Sequence, residues 1–204
     1  MKPISERTPA LRVVGLVGSL RRESINRRLL EAARDIAPAG TRVEIVELHD
    51  VPLYNGDLDN DGDRPAAVER LKRVIADADA VLIATPEFNH SVPGVLQNAI
   101  DWVSRPAGRS PFVGKPVAVM GASPGALGAA RAQQQLKLVL MSTLAEVMPH
   151  AGVAVGMAKE KFDAAGALVH EPTRAFLAAF MADFGRWVAR VAPPAPNAAS
   201  AAAA

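Results

Sequence analysis

The sequence predicts an α/β domain in which a parallel sheet of five strands carries helices on both faces. Short apolar runs alternate with longer segments whose apolar residues recur at helical spacing. Several of the runs are apolar throughout, which is typical of strands buried on both faces. Strands that alternate with helices along a chain form parallel sheets with right-handed crossovers, so helices cover both sides.

The first half of the chain contains three predicted strands and two predicted helices. Residues 11–17 (LRVVGLV) form a β-branched, buried strand, and residues 25–37 repeat apolar side chains at helical spacing. Residues 41–48 (TRVEIVEL) alternate imperfectly, as an edge strand does. Residues 65–78 carry an apolar helical stripe, and residues 80–84 (AVLIA) have the uniform apolar character of a central strand.

The second half continues the alternation. A helix is predicted at residues 94–103, a strand at 116–120 and a long helix at about 126–145. A fifth strand is predicted near residues 147–155, followed by an amphipathic helix at 173–191.

Composition limits the domain organisation. Half of the 204 residues are hydrophobic and 22% are charged, so most of the chain is able to fold around a core. We expect one domain at residues 11–191, preceded by a flexible lead-in at 1–10 and followed by a disordered Ala/Pro tail at 192–204. The net charge of +2 includes no long basic run, so no nucleic-acid partner is expected.

The absence of cysteine excludes disulfides, thiolate metal sites and a cysteine nucleophile. The polar N-terminus does not resemble a secretory signal, and the most apolar long window, residues 138–157, is interrupted by Glu146, Pro149 and His150. We therefore expect a cytoplasmic protein with no membrane partner. His90 has no partner at metal-binding spacing, so no metal site is expected.

The loop after the first strand has the features of a phosphate site. Gly18 permits a sharp exit from the strand, and Ser19, Ser24 and Asn26 offer hydrogen-bond donors. Arg21 offers a charged fork, and the following helix adds free backbone N–H groups. The loop matches neither the P-loop nor the G-x-G-x-x-G pattern, which favours a monophosphate. The alternative is that Ser24 is only an N-cap and the arginines are solvated.

The loop after the third strand, at residues 85–102, has the features of a site for a planar ligand. Phe88 is able to stand beside a flat ring, and backbone groups from Glu87 to Asn89 are able to bond the edge of a heterocycle. Alternatively, Phe88 plugs the core. For Trp102 we favour a structural role as an apolar anchor.

A third unusual loop, at residues 121–131, contains three glycines that allow close backbone approach. The alternative is simple packing of a helix on the sheet. Ligands of doubly wound sheets bind at the carboxyl ends of the strands, beside the point where the strand order reverses. For the order 2-1-3-4-5 that point lies between the first and third strands, so the three loops together predict one site.

Three blocks in these loops carry a specific resemblance. In order, GSLRRESINRRLL, PEFNHSVPGVLQNAIDW and GASPGALGAARAQQQL resemble the NADPH-dependent FMN reductase family of flavodoxin-like proteins, which includes quinone and chromate reductases. The resemblance covers residues 13–155. It implies a flavodoxin-like sheet of five parallel strands in the order 2-1-3-4-5.

The same resemblance assigns site residues. It implies that the FMN phosphate is held by Ser19, Arg21, Ser24 and Asn26. It implies that the ribityl chain and isoalloxazine are held by Pro86, Glu87, Phe88 and Asn89, and that Ser123 and Gly125 approach the ring from the other side. Many relatives carry tyrosine at the position of Phe88, so any role of that hydroxyl is absent here.

The resemblance also implies an activity. Members bind FMN, oxidise NADPH or NADH by hydride transfer and reduce quinones, chromate, azo compounds or free flavin. A ping-pong mechanism follows, and because the flavin supplies the reactivity we expect no catalytic acid or base. A homodimer or homotetramer is implied, with the loop at residues 52–57 near the interface.

Two alternatives are a flavodoxin-type electron carrier and a non-enzymatic, flavin-binding regulatory module. Resemblance to an electron carrier would call for a phosphate loop without arginine and an acidic surface. Arg21 and the net charge of +2 argue against that alternative.

Overall fold

The computed structural model describes residues 10–60 and 62–191, and its centre is a parallel sheet. The strands are β1 (Leu11–Val17), β2 (Thr41–Val46), β3 (Ala80–Ala84), β4 (Pro116–Ala122), β5 (Glu146–Val147) and β6 (Val153–Val155). The helices are α1 (Ile25–Asp35), α2 (Ala66–Asp77), α3 (Gly94–Val103), α4 (Ala130–Ser142) and α5 (Glu171–Val191).

The strand order is β2-β1-β3-β4-β5, with β6 also paired to β4, and all of these pairs are parallel. The predicted fold class and order are confirmed. The predicted lead-in, except Ala10, and the predicted tail lie outside the described residues.

The prediction of one continuous strand at residues 147–155 is wrong. Two short strands, β5 and β6, run along β4 one after the other, Val147 opposite Val117 and Val153 opposite Met120. The interruption at residues 148–152 contains a proline, which has no N–H to donate to a ladder, and Gly152 at φ +94°.

Other element boundaries differ by a few residues. The structure gives α1 as 25–35 rather than 25–37, β2 as 41–46 rather than 41–48, α2 as 66–77 rather than 65–78, β4 as 116–122 rather than 116–120 and α5 as 171–191 rather than 173–191. The largest difference is α4, which covers 130–142 rather than about 126–145. Left-handed backbone at Gly128 and Ala129 precedes this helix, and left-handed Leu144 follows it.

Two hydrophobic cores lie on opposite faces of the sheet. Val13 and Val17 of β1 belong to the core under α1 and α5, whereas Val14 and Leu16 belong to the core under α2, α3 and α4. This alternation follows from the two-residue period of a strand. None of the described helices combines the length and apolar character needed to cross a bilayer.

Trp102 is fully buried, and its indole N–H donates to the Pro52 carbonyl at 2.8 Å. The structural role predicted for this residue is confirmed. The hydrogen bond from Trp102 to Pro52 also ties the loop after β2 to α3.

Candidate functional site

A cleft of about 580 Å³ opens where the loops leave the carboxyl ends of the strands. Its lining includes seven of the ten predicted site residues: Ser19, Arg21, Ser24, Asn26, Pro86, Glu87 and Phe88. The other three, Asn89, Ser123 and Gly125, are not part of the lining, although their neighbours Phe88 and Pro124 are. The loops after β1, β3 and β4 therefore meet at one site, as the strand order requires.

The loop after β1 presents buried hydroxyls beside the start of α1. Ser24 is the N-cap and accepts the Arg27 N–H at 3.3 Å, and Ser19 accepts the Arg21 N–H at 3.4 Å. Both hydroxyls keep their own proton for donation to a ligand. The N-cap role of Ser24 is thus confirmed, and it remains compatible with a phosphate contact. The first N–H groups of α1 have no intrahelical acceptor, so this terminus favours an anion.

Asn26 joins the start of α1 to the end of β4. Its Oδ1 accepts the Ala122 N–H at 2.8 Å, and its Nδ2 donates to the Ala122 carbonyl at 3.0 Å. The side chain is buried, and one amide hydrogen is left beyond these two bonds. Asn26 therefore fixes the position of the predicted phosphate loop, while direct contact with phosphate stays a prediction.

A tight turn presents Phe88 at the edge of the cleft. Phe88 and Ser91 exchange two backbone hydrogen bonds, of 3.2 and 3.0 Å, across Asn89 and His90. The two central residues have positive φ, +52° and +63°, as in a type I′ turn, and asparagine tolerates this conformation well. Phe88 is 52% exposed, so the alternative that it plugs the core is wrong.

Glu87 caps a helix from outside that helix. Helix α4 has no side-chain cap of its own at Ala129. Instead, Glu87 Oε2 accepts the N–H groups of Arg131 at 2.9 Å and Ala132 at 3.2 Å. Glu87 Oε1 lies 3.5 Å from both His90 Nδ1 and Arg131 Nη1. The carboxylate thereby ties the Phe88 turn to α4.

The environment of Glu87 lowers its pKa. Burial acts to raise the pKa, but the N–H groups of Ala132 and Arg131, the His90 ring and the Arg131 charge together outweigh burial. The carboxyl group is therefore ionised at neutral pH and is unsuited to donate a proton in a reaction.

We expect Glu87→Gln to lower stability at neutral pH and to change its pH dependence. Because the folded state lowers this pKa, the carboxylate stabilises the protein above the unfolded value of about 4.3. That stabilisation is lost as the pH falls through the folded value. Helix caps typically contribute about 0.5–2 kcal/mol.

Urea unfolding of both proteins between pH 7 and pH 3 measures this effect. The difference in the free energy of unfolding should be largest at neutral pH and shrink below about pH 4.3. A difference that stays constant over this range would contradict the assignment.

The loop after β4 is fixed against the segment after β6. Ser123 N–H donates to the Val155 carbonyl, and the Ser123 carbonyl accepts the Ala158 N–H, both at 3.0 Å. Gly125 accepts both the Ser123 hydroxyl and the Met157 N–H at 3.0 Å. These bonds hold Ala122 and Pro124 at the cleft, so Ser123 and Gly125 shape the wall through their neighbours.

The sequence analysis missed one wall of the cleft, which is formed by Ala158, Lys159, Phe162, Asp163 and Ala164. Phe162 pairs with Leu168 in a small antiparallel bridge that turns back at Gly166, and Phe162 borders the cleft. Arg28 lies against Gly166 and pairs with Glu23 at 2.6 Å. The available signal was topological, because this segment leaves the carboxyl end of the last strand, as the other three loops leave theirs.

Left-handed backbone is concentrated in the loops at the carboxyl edge of the sheet. Of the five non-glycine residues with positive φ in the described ranges, Asn89, His90, Ala129 and Met157 lie in loops at the carboxyl edge of the sheet. The fifth, Leu144, lies at the opposite edge. Strained backbone of this kind is typical of binding sites.

Together these features suit a planar ligand with an anionic end. Hydroxyls, a free helix terminus and Arg21 lie along one wall, and the Phe88 ring lies at another. Within residues 10–60 and 62–191, no three His, Asp or Glu side chains are grouped as a metal site requires.

Comparison with known proteins agrees with this geometry. A family profile described as NADPH-dependent FMN reductase matches residues 11–160. A 2-hydroxy-1,4-benzoquinone reductase of Burkholderia sp is 42% identical over 179 residues, which cover 88% of this chain and 97% of that protein. An NAD(P)H-dependent FMN reductase of Pseudomonas aeruginosa is 41% identical over 181 residues, covering 89% and 97%.

A solved structure extends the comparison to the fold. The flavoenzyme NAD(P)H:(acceptor) oxidoreductase FerB of Paracoccus denitrificans superposes with a TM-score of 0.79 at 41% identity. The match covers 88% of this chain and 97% of that protein.

Proposed function

Since the chain belongs to the NADPH-dependent FMN reductase family, we propose that it is an NAD(P)H-dependent, FMN-containing reductase of quinones and similar small acceptors. The observation that carries this proposal is the cleft itself. The loop predicted to bind phosphate and the exposed aromatic turn, distant in sequence, border one cavity.

The residues present fit FMN. The cleft volume lies within the range of about 300–1,000 Å³ that is usual for cofactor sites. Ser19, Ser24 and the start of α1 supply donors for a phosphate, and Arg21 supplies charge. Phe88 and Pro86 would hold the flat ring on one side of the cleft. Ala122 and Pro124 line the same space.

Bound FMN would supply the chemistry, taking a hydride from NADPH or NADH and passing it to the acceptor. The chain itself binds and orients. Asn26 holds the phosphate loop against β4, and Glu87 holds the Phe88 turn against α4. Because the Glu87 carboxylate is occupied and its pKa is lowered, we assign no proton transfer to it.

We further propose a ping-pong mechanism, in which both substrates use one open cleft in turn. Quinones are the proposed acceptors, and chromate, azo compounds and free flavin are further candidates. We also propose a cytoplasmic homodimer or homotetramer. Leu53, in the loop proposed to lie near the interface, is 84% exposed and supports this assembly.

The decisive experiment is to purify the protein, record its visible spectrum and measure NAD(P)H oxidation with and without a quinone. The proposal expects a flavin spectrum, or one regained with added FMN, and oxidation stimulated by quinone. Double-reciprocal plots should give parallel lines if the mechanism is ping-pong. A flavoprotein that does not oxidise NAD(P)H would be an electron carrier or a flavin-binding regulatory module, and a colourless protein that FMN does not reconstitute would contradict the proposal.

A further inference from the structure

We propose that Lys159 is a second cationic ligand of the FMN phosphate, in addition to Arg21. This inference rests on the proposed function. Lys159 lies in the short 3-10 helix Ala158–Glu160 that follows β6 and borders the same cleft as Ser19 and Ser24.

The sheet places Lys159 and the start of α1 at the same edge, on the lining of one cleft. Asn26 binds both backbone groups of Ala122, and Ala122 lies opposite Val155 in the register of β4 and β6. Lys159 lies four residues after Val155 in the chain. The 3-10 helix is fixed there because the Ala158 N–H donates to the Ser123 carbonyl at 3.0 Å. The predicted phosphate loop and Lys159 are therefore anchored to the same pair of strands.

The other charged groups of the cleft are already engaged. Arg28 pairs with Glu23 at 2.6 Å, and Glu87 binds the backbone at the start of α4. Asp163 Oδ1 accepts the Ala167 N–H at 2.8 Å, which stabilises the turn between Phe162 and Leu168.

Two cations then remain for a ligand. Neither Arg21 nor Lys159 forms an ion pair with any residue that the structure describes. A phosphate monoester carries a charge of about −1.5 to −2 at neutral pH. The single positive charge of Arg21 leaves part of the phosphate charge uncompensated. The ammonium group of Lys159 supplies a second positive charge.

The test compares FMN with riboflavin, which lacks the phosphate. Apoprotein is titrated with each flavin, and binding is followed by flavin fluorescence. Lys159→Gln should weaken FMN binding about 3- to 30-fold, because a charge-assisted contact at a partly solvated site is lost. Riboflavin affinity should change less than twofold, and Lys159→Arg should restore most of the FMN affinity.

Lys161→Gln is the matched control, because Lys161 lies on the same segment but does not border the cleft. It should leave both affinities unchanged. The salt dependence of FMN binding should also become shallower in Lys159→Gln and not in the control.

Two results would overturn the assignment. One is an FMN affinity of Lys159→Gln within twofold of wild type, including the case in which only the KM for NADPH rises. The other is an equal loss for FMN and riboflavin, which would indicate a structural effect. A wild-type apoprotein that binds neither flavin would instead contradict the proposed function.

Discussion

Replacing Arg21 with alanine is expected to weaken FMN binding roughly 10- to 100-fold. Arg21 borders the cleft beside the buried hydroxyls of Ser19 and Ser24, and it makes no ion pair with any other described residue. Its guanidinium is thus available for a charge-assisted bond to phosphate. Such a bond contributes about 1.5–3 kcal/mol, which corresponds to the expected change in affinity.

Titration of apoprotein with FMN measures this loss. Arg22→Ala is the matched control, because the neighbouring arginine is also exposed but does not border the cleft. The control should bind FMN within about twofold of wild type. Unchanged FMN affinity in Arg21→Ala, or an equal loss in the control, would contradict a phosphate role for Arg21.

Gly156→Ala is expected to lower both the free energy of unfolding and the affinity for FMN. A Cβ at this position would overlap the Ala126 carbonyl oxygen and would lie 2.6 Å from the carbonyl carbon. Both neighbours are backbone atoms, so the loop after β4 must move. Overpacking of this kind costs roughly 1–3 kcal/mol or more. The movement would also strain the bonds from Ser123 and Gly125 that shape the cleft wall.

Gly185→Ala is the control for this substitution. Gly185 lies inside α5, and a Cβ there meets no atom within 4 Å. Alanine should raise the free energy of unfolding by about 0.5–1 kcal/mol, because glycine disfavours a helix interior. Urea unfolding and FMN titration of both variants provide the comparison. Wild-type stability in Gly156→Ala would show that the contact between the two segments is loose.

The strands and the three loops were predictable because each depends on local pattern, and the order 2-1-3-4-5 was implied by the family resemblance. Uniform apolar runs identify central strands such as β3, and parallel topology then places the loops after β1, β3 and β4 at one edge. The end of the sheet was less predictable. The break between β5 and β6 lies at residues 148–152, and the chain rejoins β4 at Val153, whose carbonyl accepts a 3.1 Å hydrogen bond from Gln133 on α4, 20 residues earlier.

The sequence by itself determined the doubly wound class, the family and the segments that form most of the cleft, because residue types and their spacing along the chain carry that information. Only the tertiary structure decided what individual side chains do there. Glu87 caps a helix 44 residues away, Asn26 binds a strand 96 residues away, and Lys159 joins the cleft from the last loop. Hydrogen bonds and charge balance depend on distances in space, and those distances are fixed only when the sheet and its helices have packed.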